Sequence, residues 1–221
     1  MQVEWVWDAF DHLDVQRQAV LGEVCTKGAG GCPEFSLATA ANDWLHGNAL
    51  QQTPDGNILY SARHQDWVMK IDYRNGEGNG DVIWRLGRDG DFRIDGDSTA
   101  WFSHQHDPNI EDGSTNRLTL FDNGNTRHDS DPDANSRGQV LELDEGARTA
   151  RLVLNVDLGQ YSLALGSAQK LANGTYHFDL GWAPNGSSEA LEYDTSGNIV
   201  SKIEVMTQQY RSFRMRNLYA E

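Results

Sequence analysis

Positive charge is scarce in this chain. Its 18 lysines and arginines face 33 aspartates and glutamates, for a formal net charge of −15. That balance argues against nucleic acid and against anionic membrane surfaces as partners, since both demand a positive footprint. Any anionic substrate must then be held by a local basic cluster. Long apolar runs are missing as well. No stretch approaches the ~20 residues of a membrane span, and the opening MQVEWVWDAF has neither the basic start nor the apolar stretch of a signal peptide. The usual catalytic fingerprints are also absent: no GxSxG elbow, no HExxH helix, no phosphate-cradling glycine loop and no dinucleotide motif. Their absence removes the common hydrolase, metalloprotease, kinase and dehydrogenase readings. The glycines of NGEGNGD, residues 75–81, read as interstrand turns.

Cysteine is limited to Cys25 and Cys32, which bracket the flexible loop CTKGAGGC. Glycines in that loop let the two sulfurs meet, so a disulfide is expected; two reduced thiols of a surface loop are the plainer alternative. A zinc knuckle does not fit the spacing, and there is no second cysteine pair. A disulfide implies an extracellular or periplasmic protein, with an export signal expected upstream of Met1.

What is present points to an all-β fold. The chain has 221 residues, 38% of them hydrophobic, with seven tryptophans and 22 glycines, enough for one domain with a sizeable core. Turn glycines Gly56, Gly113 and Gly174 stand 57 and 61 residues apart, and each opens a β-rich run. Each run is followed by a segment ending in Asp72, Asp144 or Asp194, then by another β-rich run. Such a repeating four-stranded unit reads as a β-propeller blade, with a β-sandwich as the weaker architecture. The blades are expected at approximately 43–87, 101–158 and 161–206, within one partial propeller domain covering 1–221. Edge strands are expected at 3–8 and 209–219, and helix only near residues 13–19. Three blades make an incomplete ring, so the chain reads as roughly the C-terminal half of something larger.

In a propeller the first strand of each blade lines the central channel. His46 and His106 lie on first strands and can point into one channel, while Arg127 follows the second strand of the middle blade. Arginine offers a planar fork for sulfate or phosphate, and imidazole can act as acid, base or nucleophile. His104 alternates with His106 on one strand face and reads as its supporting partner. Asp43, Trp44 and Trp101 fit blade packing as well as ligand contact. His12, His64 and His128 fit the common case of a hydrogen-bonded structural histidine. A metal site built from His104, His106 and Asp107 is a further option. DSDPDAN, residues 129–135, begins like a calcium loop, but Ala134 and Val140 stand where an EF-hand needs glycine and glutamate.

Together these segments resemble a known family. DWLHGNA, SARHQDWVMKIDY, VIWRLG, FSHQHD, LTLFDNG followed by Arg127, and NGTYHFDLGW occur in the order of the motifs of the arylsulfotransferases, the bacterial-type aryl-sulfate sulfotransferases. WVWDAFDHLD and YRSFRMRNLY resemble the secreted branch. The resemblance implies a six-bladed propeller that moves a sulfuryl group from a phenolic sulfate ester to another phenol. It implies no nucleotide donor, no cofactor and no metal, and a ping-pong route through a sulfated histidine. By motif, His46, His106 and Arg127 match the anion-binding and proton-handling positions. His177 falls where the nucleophile is expected, with His106 the second choice, and His104, Asn48, Arg63 and His64 are the expected supporting residues. Six blades of ~59 residues need ~350 residues, so about half the ring is expected to be missing. The competing readings are a non-catalytic ligand-binding propeller and a metal-dependent hydrolase.

Overall fold

The computed structural model describes residues 3–28, 38–96 and 100–215. A short helix, α1 (Ala9–His12), precedes a two-stranded ribbon of β1 (Val24–Thr26) and β2 (Ala40–Asn42). Three antiparallel meanders follow. The first is β3 (Gly47–Gln52), β4 (Ile58–Ala62), β5 (Trp67–Ile71) and β6 (Val82–Leu86). After β7 (Arg93–Ile94) comes the second, β8 (His106–Ile110), β9 (Arg117–Asp122), β10 (Arg137–Asp144) and β11 (Thr149–Asp157), with α2 (Asn125–Ser130) between β9 and β10. β7 joins its outer edge, parallel to β11. The third is β12 (Ser167–Lys170), β13 (Tyr176–Leu180), β14 (Ser188–Tyr193) and β15 (Ile199–Val205). The architecture is all-β, and none of the sheets closes on itself.

Each meander begins with the same device. Gly56, Gly113 and Gly174 adopt φ of 81°, 76° and 93°, a left-handed conformation open to glycine at no steric cost, and so turn the first strand into the second. The middle sheet is buried on both faces, so its strands alternate between two cores rather than between core and solvent. Leu118, Leu120, Leu141 and Leu143 face the first sheet, with Leu59, Val68, Trp84 and Leu86 opposite. Phe121 and Val140 face the third, against Ala168, Tyr176, Phe178 and Leu191. Gly138 is required here because a Cβ would stand 2.4 Å from the Phe178 ring. A third cluster, Leu13, Ala62, Trp67 and Met69 with Trp7 and Trp44, covers the remaining face of the first sheet.

The first strands β3, β8 and β12 lie side by side but belong to different sheets, so no backbone ladder joins them. Their edge amides and carbonyls are taken up by side chains. Gln51 accepts from Ile110 N at 2.7 Å and donates to Ile110 O at 3.1 Å. Asp107 accepts from Ala168 N at 3.2 Å, and Asn109 donates to Ala168 O at 3.0 Å. Gln169 accepts from Arg214 N at 2.9 Å and donates to Arg214 O at 3.3 Å. A carboxamide suits this task because it carries donor and acceptor at the spacing of a backbone pair.

The third of these clasps corrects the expected edge strand at 209–219. Residues 209–215 run beside β12 but form no strand, because backbone bonds occur only at Gln209 N to Gly181 O and Gly166 N to Tyr210 O, and side chains replace the ladder beyond. Residues 216–219 lie outside the described residues. Residues 3–8 also form no strand: Trp5 and Trp7 dock by donating their indole N–H to Gly78 O and Gly80 O. The expected helix near 13–19 is a series of turns, and the helix lies earlier, where Asp8 caps α1 through Phe10 N. α2 was not expected from its polar sequence NTRHDS. The Cys25–Cys32 pairing cannot be placed, since Cys32 lies outside the described residues. Among the described residues no helix is long and apolar enough to cross a membrane.

Replacing Gln51 by leucine removes both partners of Ile110. The expected result is a loss of about 1–3 kcal/mol in stability, read as a lower urea midpoint; an unchanged midpoint would remove the clasp from the account.

Candidate active site

The ends of the strands bring the histidines together. His46 immediately precedes β3, Arg63 opens a 3-10 turn (Arg63–Gln65) directly after β4, and His104 and His106 stand at the start of β8. Asn123 follows β9, and Leu163 precedes β12. Antiparallel meanders put all of these at one end of the sheets. The β1–β2 ribbon adds Glu23 and Asp43, tied by Asp43 N to Glu23 O at 3.0 Å. His46, Asp66, His104 and Asp107 all have φ between 48° and 54°, the left-handed region that side chains other than glycine adopt at a cost. Such strain concentrates where function fixes a side chain's direction.

His106 is buried and donates through Nδ1 to Asn123 Oδ1 at 2.6 Å. An amide oxygen only accepts, so Nδ1 carries the proton and Nε2 keeps its lone pair. Burial, reinforced by the Arg63 charge, pushes this imidazole down to about 3, so it is neutral across the physiological range. Arg63 is buried and has an unusual set of partners. It donates to His64 Nε2 and, at 3.0 Å, to Leu163 O, instead of meeting a carboxylate, and its Nε has no partner. Because Arg63 donates to Nε2, His64 is neutral with its proton on Nδ1, given to Asp43 O at 2.6 Å. Burial carries His64 down to about 4.

His46 is the exposed member of the group. Its Nδ1 meets Asp43 Oδ2 at 2.7 Å and its ring packs 4.4 Å from that of His64. Asn48 donates to Gln105 O at 2.7 Å, linking β3 to the segment between the two β8 histidines. His104 has a different character. It lies between Glu23, on Nε2, and Asp66, 2.9 Å from Nδ1. Burial opposes a charge there, but the two carboxylates outweigh it and hold His104 above its ordinary value; Glu23 in turn is lowered to about 2. This is a buried ion pair that fixes the backbone leading to His106.

Two expected site residues lie elsewhere. Arg127 donates at 2.7 Å to Asp122, which is fully buried and also binds Arg137 at 2.8 Å and Ser103 N at 2.9 Å. Its guanidinium thus neutralises a core carboxylate. His177 sits on β13, buried, with Nε2 3.0 Å from Ser212 Oγ, and makes no contact with the His46, Arg63, His64, His104 and His106 group. Burial holds it below the ordinary histidine value. His128 stacks on Tyr161 at 3.6 Å, and His12 stacks on Trp7 at 5.6 Å. Glu23, Asp66 and Asn123 were not anticipated as site residues, nor was Arg211, which pairs with Asp107 at 2.8 Å.

The possible metal ligands are already engaged. His104, His106 and Asp107 do not share one donor set, since their partners are Glu23 and Asp66, Asn123, and Arg211 respectively. Glu23, His64 and His104 converge within 4.8 Å, as do Asp43, His46 and His64. Both groups depend on His64, whose Nε2 faces the Arg63 guanidinium and whose Nδ1 holds a proton for Asp43. A cation there would meet a fixed positive charge. The donor geometry therefore does not suit a metal.

The fold is all-β, and its buried Arg63 guanidinium, which pairs with no carboxylate, lies beside two imidazoles that burial keeps neutral, His64 and His106. The chain is a member of the arylsulfotransferase (ASST) family, whose model matches residues 2–216. No curated protein matches the sequence. Among solved structures, Kuenenia stuttgartiensis hydrazine synthase is similar over 82% of this chain, with a TM-score of 0.45 and 11% identity; the present chain spans 42% of that one.

The Glu23–His104 pair has a pH signature. The lowered carboxylate stabilises the fold above its unfolded value of 4.5 and loses that contribution as pH falls toward about 2. The raised imidazole contributes fully below its unfolded value of 6.5 and is lost as pH rises through its folded value. Urea unfolding of the parent and of Glu23→Gln should therefore differ most between pH 4.5 and 6.5, with the parent more stable; a difference constant from pH 3 to 9 would contradict the pairing.

Proposed function

We propose that this protein transfers a sulfuryl group from an aryl sulfate ester to a phenolic acceptor, through a sulfated His106. The observation that carries this reading is the buried Arg63 guanidinium, which has no carboxylate partner, beside a neutral His106 whose Nε2 lone pair is free. Family membership supports the reaction class. His106 takes the nucleophile's part in preference to His177, because His177 stands apart from any arginine that is free to bind sulfate. Arg63 takes the anion-binding part assigned by resemblance to Arg127, which is committed to Asp122.

In the first half-reaction His106 Nε2 attacks sulfur and the bond from sulfur to the aryl oxygen breaks. The Arg63 guanidinium donates to the sulfuryl oxygens, where charge is concentrated in a low-dielectric site. The departing phenolate takes a proton from His46, which Asp43 orients through Nδ1. In the second half-reaction His46 removes the proton from the acceptor phenol. The acceptor oxygen then attacks sulfur, the N–S bond breaks, and both His106 and His46 return to their starting state. No cofactor enters the balance. Neutrality of His106 is needed throughout, and its depression to about 3 provides it. The three meanders are read as propeller blades around a common axis, with the site at one mouth, and the Cys25–Cys32 disulfide and an extracellular or periplasmic location complete the proposal.

The test is steady-state transfer from para-nitrophenyl sulfate to a phenol. His106→Ala is expected to abolish turnover, Arg63→Gln to lower kcat/KM by about 10²–10³, and His46→Ala by about 10²–10⁴. His177→Gln is expected to keep the chemistry at His106. Full activity in His106→Ala would overturn the reading. The acid limb of the rate profile should not reflect His106, so protonation of that residue is expected to cause no loss between pH 8 and pH 5.

A further inference from the structure

The segment after the last sheet reaches into the site. Residues 209–215 run along β12, held by the backbone bonds of Gln209 and Tyr210, by Ser167 Oγ between Ser212 N and Ser212 O at 3.2 and 2.8 Å, and by the Gln169 clasp on Arg214. His177 adds a fourth tie through Ser212 Oγ. From this track Arg211 crosses to the other two first strands. It ion-pairs with Asp107 Oδ1 at 2.8 Å, donates through Nη2 to Asn48 O, and is only 24% exposed. Asp107 is the neighbour of His106, and Asn48 lies two residues after His46.

The geometry points to Arg211 as a positioning residue of the transfer site, with His177 and Gln169 as the latch that delivers it. This proposal rests on the sulfuryl-transfer reading for its kinetic consequence. One guanidinium holds the Asp107 carboxylate beside the nucleophile and the Asn48 carbonyl near the proton donor at a fixed separation. Its planar fork allows both bonds at once, which a lysine ammonium with a single charged atom cannot reproduce. Asp107 spans the same joint, since its other oxygen accepts from Ala168 N. The Arg211 charge also bears on His106, acting together with Arg63 and His46 to disfavour its protonation. His177 thus acquires a role at a distance: it acts through the segment it holds, with no contact to substrate.

The experiment uses Arg211→Ala, Arg211→Lys, His177→Ala and the double variant Arg211→Ala/His177→Ala, in the full protein. Misplacement of catalytic groups by about 1 Å lowers rate about 10²-fold, so kcat should fall about 10- to 100-fold in Arg211→Ala with little change in KM. Arg211→Lys should recover only part of it, and millimolar methylguanidinium should restore Arg211→Ala several-fold by refilling the gap. His177→Ala should also lower kcat, and the double variant should be no slower than Arg211→Ala alone. Unchanged kcat in Arg211→Ala, absence of rescue, or multiplicative losses in the double variant would each overturn the proposal. If the parent itself turns over no aryl sulfate, the transfer reading fails, and the brace is then read by imidazole NMR. His106 of Arg211→Ala should then titrate upward from the parent, and an unmoved titration would sink the brace independently.

Discussion

The structure depends on how the first strands of separate sheets hold one another without a shared ladder. Each of these strands is an edge, and an edge with unpaired amides is both a loss of stability and an invitation to aggregate. Here the edge groups are taken by Gln51 and by Asp107 with Asn109, each reaching from one first strand to the backbone of the next, and by Gln169, which reaches from β12 to the backbone of the 209–215 segment. Such bonds are directional and short. They fix the offset between neighbouring sheets, which apolar packing between Leu59 and Leu118 or between Val140 and Phe178 would leave adjustable by sliding.

Fixing that offset is what allows a site to form at the sheet ends. His46 and Arg63 come from the first sheet, His104, His106 and Asn123 from the second, and Leu163 from the approach to the third. A chain with a net charge of −15 would repel sulfate over most of its surface. In the proposed site one buried guanidinium, Arg63, pairs with no carboxylate, and burial keeps His64 and His106 neutral. Charge balance elsewhere is tight by contrast: Arg127 and Arg137 neutralise Asp122, and the His104 charge sits between Glu23 and Asp66.

Much of the sheet arrangement was legible in the sequence, because glycines with positive φ mark the turns and β-rich runs mark the strands. The segments at 3–8 and 209–215 were misread as strands for a physical reason. Their sequences are β-rich, but tryptophan indoles in one case and serine and glutamine side chains in the other satisfy the backbone in place of a ladder. The pairing of Arg127 with Asp122 was not legible, because an arginine near a site looks the same in sequence whether it awaits an anion or neutralises a carboxylate five residues earlier. Arg63 was expected as a supporting residue, yet its burial and lack of a carboxylate partner are properties of the folded chain alone. Glu23 had no signal at all, as a single glutamate in an irregular stretch, and Arg211 was visible only as one of three arginines in YRSFRMRNLY.

The most direct measurement is peptide mapping of the protein after brief incubation with para-nitrophenyl sulfate and no acceptor, under conditions that preserve the N–S bond. The account predicts one sulfuryl group per chain, on the peptide containing His106, that disappears when phenol is added. A sulfuryl group on His177, or nitrophenol release with phenol present and no covalent adduct at any residue, would contradict it.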